Sequence, residues 1–196
     1  MKLPKLGLPR VEVSPGNRYA TKAPTEIRTL LGSCIAACLY DQEAGVAGLN
    51  HFLLASPRYA RDMRFTETEA GRYGIHAMEL LITDMQKLGA SRGRLKAKIF
   101  GGASVLGIAQ EKAFLCVHEV NQRFIKEYLA TERIRIVSED LGGELGRVIH
   151  FHSDTYKVFR RFILKKATAE IEEGERRYWK SELERKRPEA GEPILF

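Results

Sequence analysis

Between residues 26 and 54 the chain alternates short apolar runs with turn-forming clusters, and no run is long enough for a helix. Glu26-Ile27-Arg28-Thr29-Leu30-Leu31 leads into Gly32-Ser33, after which Cys34 to Tyr40 and Gly45 to Leu54 flank Asp41-Gln42-Glu43-Ala44. This pattern predicts a strand followed by an antiparallel hairpin. Residues 8–15 read as an edge strand closed by Pro15-Gly16. The period changes at Ala70, where Ala77, Leu80, Leu81, Met85 and Leu88 recur at helical spacing up to Gly89. A second helix is predicted over 117–129, with Val117, Val120, Phe124, Ile125, Tyr128 and Leu129 on its buried face. Residues 94–100 alternate basic and apolar side chains, as a half-exposed strand does, and run into Gly101-Gly102. Further strands are expected over 133–138, 147–152 and 156–164. Residues 55–69, with Pro57, form a long loop of the kind that carries binding surfaces.

Many strands with two interposed helices predict an α/β fold: a layered sandwich of mainly antiparallel sheet with two covering helices, in a single domain over residues 1–164. Residues 165–196 hold eight Lys/Arg and eight Glu, with Trp179 as their strong apolar anchor. They read as a charged C-terminal helix or a partly disordered tail.

The hairpin also predicts a register. A four-residue loop over 41–44 sets Tyr40 against Gly45 and therefore Cys34 against His51. Directly opposed side chains share a face with Cβ atoms roughly 4.5–5.5 Å apart, close enough for a thiol–imidazole hydrogen bond. A one-residue slip would put the two on opposite faces. An isolated cysteine is more often inert core than nucleophile. Here the Gly32-Ser33 turn before Cys34 offers backbone N–H groups for an oxyanion, and an imidazole beside the thiol would lower its pKa and carry a proton to a leaving group. Thr29 has a hydroxyl that could reach His51 from the neighbouring strand end and orient it, or it is an ordinary strand threonine.

Composition narrows the alternatives. The 196 residues, 44% of them hydrophobic, can bury a sizeable core. The basic N-terminus lacks the apolar run of a signal peptide and no segment approaches a spanning helix, so a cytoplasmic protein, not membrane-inserted, is expected. Three cysteines, an odd number, do not suggest a disulfide framework. The formal charge of +7 lies wholly outside the balanced tail, with Arg58, Arg61, Arg64 and Arg72 contributing. No nucleic-acid motif accompanies it, and nucleic acid is not an expected partner. No metal is expected either. Cys34 and Cys38 share a strand face but stand about 13 Å apart, and no C-x₂-C pair exists. Gly101-Gly102 and Gly142-Gly143-Glu144-Leu145-Gly146 match no phosphate-binding pattern and read as turns.

The residues also resemble a known family. Thr29 through Asp41, with Gly32-Ser33-Cys34 at its centre, and Gly48-Leu49-Asn50-His51-Phe52-Leu53-Leu54 are similar to the chemoreceptor glutamine deamidases, the CheD family of bacterial chemotaxis. So are Arg72-Tyr73-Gly74, Lys96 to Ala103, Asp140-Leu141-Gly142-Gly143 and Gly146-Arg147. These motifs fall in the family's order across about residues 10 to 160. The resemblance implies an α/β sandwich that hydrolyses selected glutamine side chains on the cytoplasmic helices of methyl-accepting chemoreceptors, giving glutamate and ammonia. It implies Cys34 as nucleophile, His51 as base and Thr29 as third catalytic residue, without a cofactor. Gly32, Ser33, Asn50, Arg58, Arg61 and Arg64 are the substrate-binding candidates, the arginines as a basic rim that steers an acidic helical bundle. A chemotaxis phosphatase is a further partner that the resemblance suggests. The contrasting expectation is a non-catalytic adaptor that binds receptor or phosphatase and keeps Cys34 as a core residue.

Overall fold

In the computed structural model, the described residues are 7–54, 69–105 and 117–163, with residues 173 and 177. Residues 55–68 of the loop expected over 55–69 and nearly all of the tail lie outside them, and Glu69 begins a helix. Nine strands and two helices follow the order β1 (Arg10–Glu12), β2 (Arg18–Thr21), β3 (Glu26–Leu31), β4 (Ile35–Asp41), β5 (Val46–Phe52), α1 (Glu69–Lys87), β6 (Lys96–Gly101), α2 (Val117–Thr131), β7 (Arg135–Leu141), β8 (Arg147–His152) and β9 (Val158–Phe162) among the described residues. They build two sheets, β1-β3-β8-β9 and β2-β5-β4-β6-β7. Among the described strands, only the β1–β3 and β6–β7 pairs are parallel.

The five-stranded sheet is the middle layer. Ile35, Ala37 and Leu39 face one way, into a core with Met78, Leu81, Ile82 and Met85 of α1 and Phe124, Ile125 and Leu129 of α2. Cys34, Ala36 and Cys38 face the other way, into a second core with Ile27 and Leu31 of β3 and Ile149 and Phe151 of β8. β4 is therefore buried on both faces, which is why its sequence is continuously apolar instead of alternating. The layers are helices, five-stranded sheet, four-stranded sheet, as the expected layered sandwich requires. No helix among the described residues is long and apolar enough to cross a membrane.

Two expectations need correction. β2 was not foreseen: Arg18-Tyr19-Ala20-Thr21 is short and half-buried, and only pairing with β5 makes it a strand. The hairpin loop is 42–45, not 41–44. Asp41 stays in β4 opposite Val46, its carboxylate accepts from the N–H groups of Glu43 and Ala44 at 3.1 and 3.2 Å, and Gly45 closes the loop at φ +66°. His51 therefore pairs with Ala36, and Cys34 is not its direct opposite. The shift is two residues, so the faces are preserved and Cys34 remains on the His51 side.

Candidate active site

Cys34, His51 and Thr29 all face the layer between the two sheets. Alternation along β3 turns Ile27, Thr29 and Leu31 inward, and alternation along β5 turns Leu49 and His51 to meet them. His51 stands opposite Ala36, so Cys34 is its diagonal neighbour on that face. Diagonal neighbours lie roughly 7–8 Å apart, a span that cysteine and histidine side chains together can bridge. Thr29 comes from the four-stranded sheet, not from a strand beside His51. Its Oγ1 lies 2.8 Å from His51 Nδ1 and 2.6 Å from the Val13 carbonyl.

Those two contacts assign the imidazole tautomer. A carbonyl can only accept, so the single Thr29 hydroxyl proton goes to Val13 and Thr29 Oγ1 accepts from Nδ1–H. In neutral His51 the lone pair is then on Nε2, the nitrogen available as a base. The backbone of His51 is held as well: its N–H donates to Asn17 O at 3.0 Å and its carbonyl accepts from Gly16 N–H at 2.8 Å. The Pro15-Gly16 turn that ends the first strand in sequence thus also clamps the histidine.

Behind Cys34, the Gly101-Gly102 pair is more than a turn between elements. Gly102 N–H donates to Cys34 O at 2.7 Å and Ala103 N–H to Gly32 O at 2.8 Å. Gly101 has φ +114°, and a Cβ there would sit 2.1 Å from Cys34 O. Only glycine lets the two backbones approach this closely. The Gly142-Gly143 turn backs this one, through Gly142 N–H to Gly101 O and Ser104 N–H to Gly143 O. Arg147, 1% exposed, donates to the carbonyls of Asp140 and Gly142 and pairs with the Asp140 carboxylate.

Not every candidate gathers here. Asn50 precedes His51 and points to the opposite face, where its carboxamide accepts from Ala37 N–H and donates to the Ala77 carbonyl, both at 3.2 Å. It joins β5 to β4 and α1 instead of lining the Cys34 layer. Gly32 and Ser33 are buried in the turn before Cys34. Arg58, Arg61 and Arg64 lie outside the described residues. Sequence reasoning passed over Asn121, which is fully buried on α2 and donates to the Ser33 carbonyl at 3.0 Å. Its signal was a carboxamide on the otherwise apolar face of that helix.

Cys34 is itself fully buried. Cys38 lies four residues further along the same face, and burial pushes its thiol well above the ordinary range, with Lys98 pulling the other way. Among the described residues no three His, Cys, Asp or Glu side chains form a group that could hold a metal ion.

The family model for CheD chemotactic sensory transduction matches residues 53–162. A probable chemoreceptor glutamine deamidase CheD 1 of Geobacter sulfurreducens is 50% identical over 170 residues, covering 86% of this chain and 85% of the relative. A probable chemoreceptor glutamine deamidase CheD 2 of Shewanella oneidensis is 45% identical over 173 residues, with 86% and 85% covered. One of that same name from Chromobacterium violaceum is 51% identical over 160 residues, with 81% and 76% covered.

Proposed function

This chain belongs to the CheD chemotactic sensory transduction family, and from that premise we propose that it deamidates glutamine side chains of chemoreceptors, with Cys34 as nucleophile, His51 as base and Thr29 as orienter of the imidazole. The observation that carries the assignment is the Val13–Thr29–His51 relay, which leaves Nε2 as the basic nitrogen on the Cys34 side of the sheet.

The chemistry runs in two halves. His51 Nε2 takes the Cys34 proton as Sγ bonds to the glutamine Cδ, and the carbonyl oxygen becomes an oxyanion held by backbone N–H groups at Ser33–Cys34. The tetrahedral intermediate collapses, the C–N bond breaks and the imidazolium gives its proton to departing ammonia, leaving a thioester on Cys34. His51 then deprotonates a water that attacks the thioester, and the Cys34 sulfur leaves with the proton. The sum is glutamine plus water giving glutamate plus ammonia, with no cofactor. A substrate on the cytoplasmic helices of a receptor requires this protein to act in the cytoplasm. A chemotaxis phosphatase is the second partner suggested by the sequence resemblance, and co-purification with the native chain tests it.

Mass spectrometry of a purified chemoreceptor cytoplasmic fragment after incubation tests the reading. The native protein should add about one mass unit per modified glutamine with equimolar ammonia, and Cys34→Ala should add none. A fragment that binds without a mass change identifies an adaptor instead. Unchanged deamidation by Cys34→Ala overturns the cysteine mechanism.

A further inference from the structure

Three consecutive carbonyls around the nucleophile, those of Gly32, Ser33 and Cys34, are each engaged from elsewhere in the fold. The donors to Gly32 and Cys34 are backbone N–H groups of Ala103 and Gly102, which many sequences could supply. The donor to Ser33 is the side chain of Asn121, a carboxamide on the buried face of α2. Val117, Val120, Phe124 and Ile125 share its buried face and are all apolar. A carboxamide buried among such residues costs free energy unless both of its ends are satisfied. Both are: Nδ2 donates to Ser33 O at 3.0 Å, and Oδ1 accepts from Leu54 N–H at 2.9 Å. One side chain therefore ties the turn that carries Cys34 to the chain just after the strand that carries His51.

We propose that Asn121 is a positioning residue for deamidation, holding the Ser33–Cys34 peptide plane so that the Cys34 N–H is aimed at the developing oxyanion. A trans peptide is planar with its N–H antiparallel to its C=O, so a carbonyl held toward α2 turns the following N–H to the opposite side. The Cys34 carbonyl is fixed by Gly102, and a Cβ at Gly101 would collide with it. The nucleophile is thus pinned on both sides of its Cα. Such pinning suits a reaction that develops charge on oxygen, because donors held in place before the reaction need no reorganisation during it.

The inference rests on the deamidase reading, and its test uses two reactions of the same sulfur. Amide hydrolysis needs an oxyanion donor; alkylation of Cys34 by iodoacetamide does not. Asn121→Asp keeps the acceptor for Leu54 and loses the donor to Ser33, while Asn121→Ser removes the side chain's reach without adding a buried charge. Removing a direct oxyanion donor costs on the order of 10²–10³ in kcat, so misaiming one should cost about tenfold or more. The expected result is that loss of kcat on a chemoreceptor fragment, with KM within about twofold and with the rate and pH profile of Cys34 alkylation unchanged. Native kcat in both variants overturns the proposal. So does joint loss of deamidation, alkylation and cooperative unfolding in both, since Asn121 would then serve only the fold. If the native protein itself releases no ammonia, the deamidase reading fails, and that result is separate from either variant outcome.

Discussion

The two ends of strand β4 have nearly the same composition and opposite physics. At its start, Cys34 follows a glycine-serine turn whose carbonyls are held from outside, and it shares a face with a histidine set by Thr29. Four residues on, Cys38 occupies the same face between Leu49 and Lys98, and burial drives its thiol toward the protonated form. Just beyond it, Asp41 closes the strand as a structural joint. Its carboxylate takes the Arg94 guanidinium at 2.8 Å, and it accepts from Ser91 N–H at 2.8 Å as well as from the hairpin loop. Under the proposed mechanism, the contrast teaches that reactivity on this strand is set by neighbours. A thiol becomes a nucleophile where the chain supplies a base and oriented donors, and remains core where it does not.

Removing the base should break the contrast most strongly. His51→Ala is expected to lower kcat by about 10²–10⁴, the range of a general base, as read by ammonia release. At the other end, Asp41→Asn should leave kcat unchanged and cost about 2 kcal/mol of stability in neutral denaturant melts, the scale of hydrogen bonds to a charged group. Its pH dependence has a definite sign. Burial alone would raise the Asp41 carboxyl, yet Arg94 and the N–H groups of Ser91 and Ala44 outweigh it and hold the pKa at about 2. A carboxylate depressed below its unfolded value of about 4 stabilises fully above that pH, and the gain fades as pH falls toward 2. The stability gap between native and Asp41→Asn should therefore close between about pH 4 and pH 2.

Thr29→Val removes the oxygen that sets the His51 tautomer while keeping a β-branched shape. It should cost about tenfold in kcat, near 1.4 kcal/mol, with KM little changed. A larger loss in KM than in kcat would mean that Thr29 meets the substrate instead. The smallest effect is expected at Cys38→Ala: kcat within about twofold, and roughly 1 kcal/mol of stability from the atoms lost to the core.

Much of this contrast could be read in the chain before any coordinates. The apolar runs and their turns placed β3, β4 and β5, and the two helical stripes placed α1 and α2 to within a few residues. The shared face of Cys34 and His51 was legible because parity survives an even slip. The register itself was not, because Asp41 is both strand residue and loop anchor, and sequence does not say which role sets the count. Thr29 was noticed but assigned to the wrong neighbourhood, since its contact with His51 crosses between sheets and no local pattern encodes sheet stacking. Asn121 and the tight approach of Gly101 were missed for the same reason. Each acts on a segment far away in sequence, and the only local trace was a polar residue on a buried stripe and a pair of glycines after a strand.

The most direct test of the central claim is peptide mapping of the native protein after graded iodoacetamide treatment, with deamidase activity measured on the same samples. The account predicts that activity falls in proportion to alkylation of Cys34, while Cys38 remains unmodified. Activity that survives complete alkylation of Cys34, or Cys38 labelled as fast as Cys34, would contradict it.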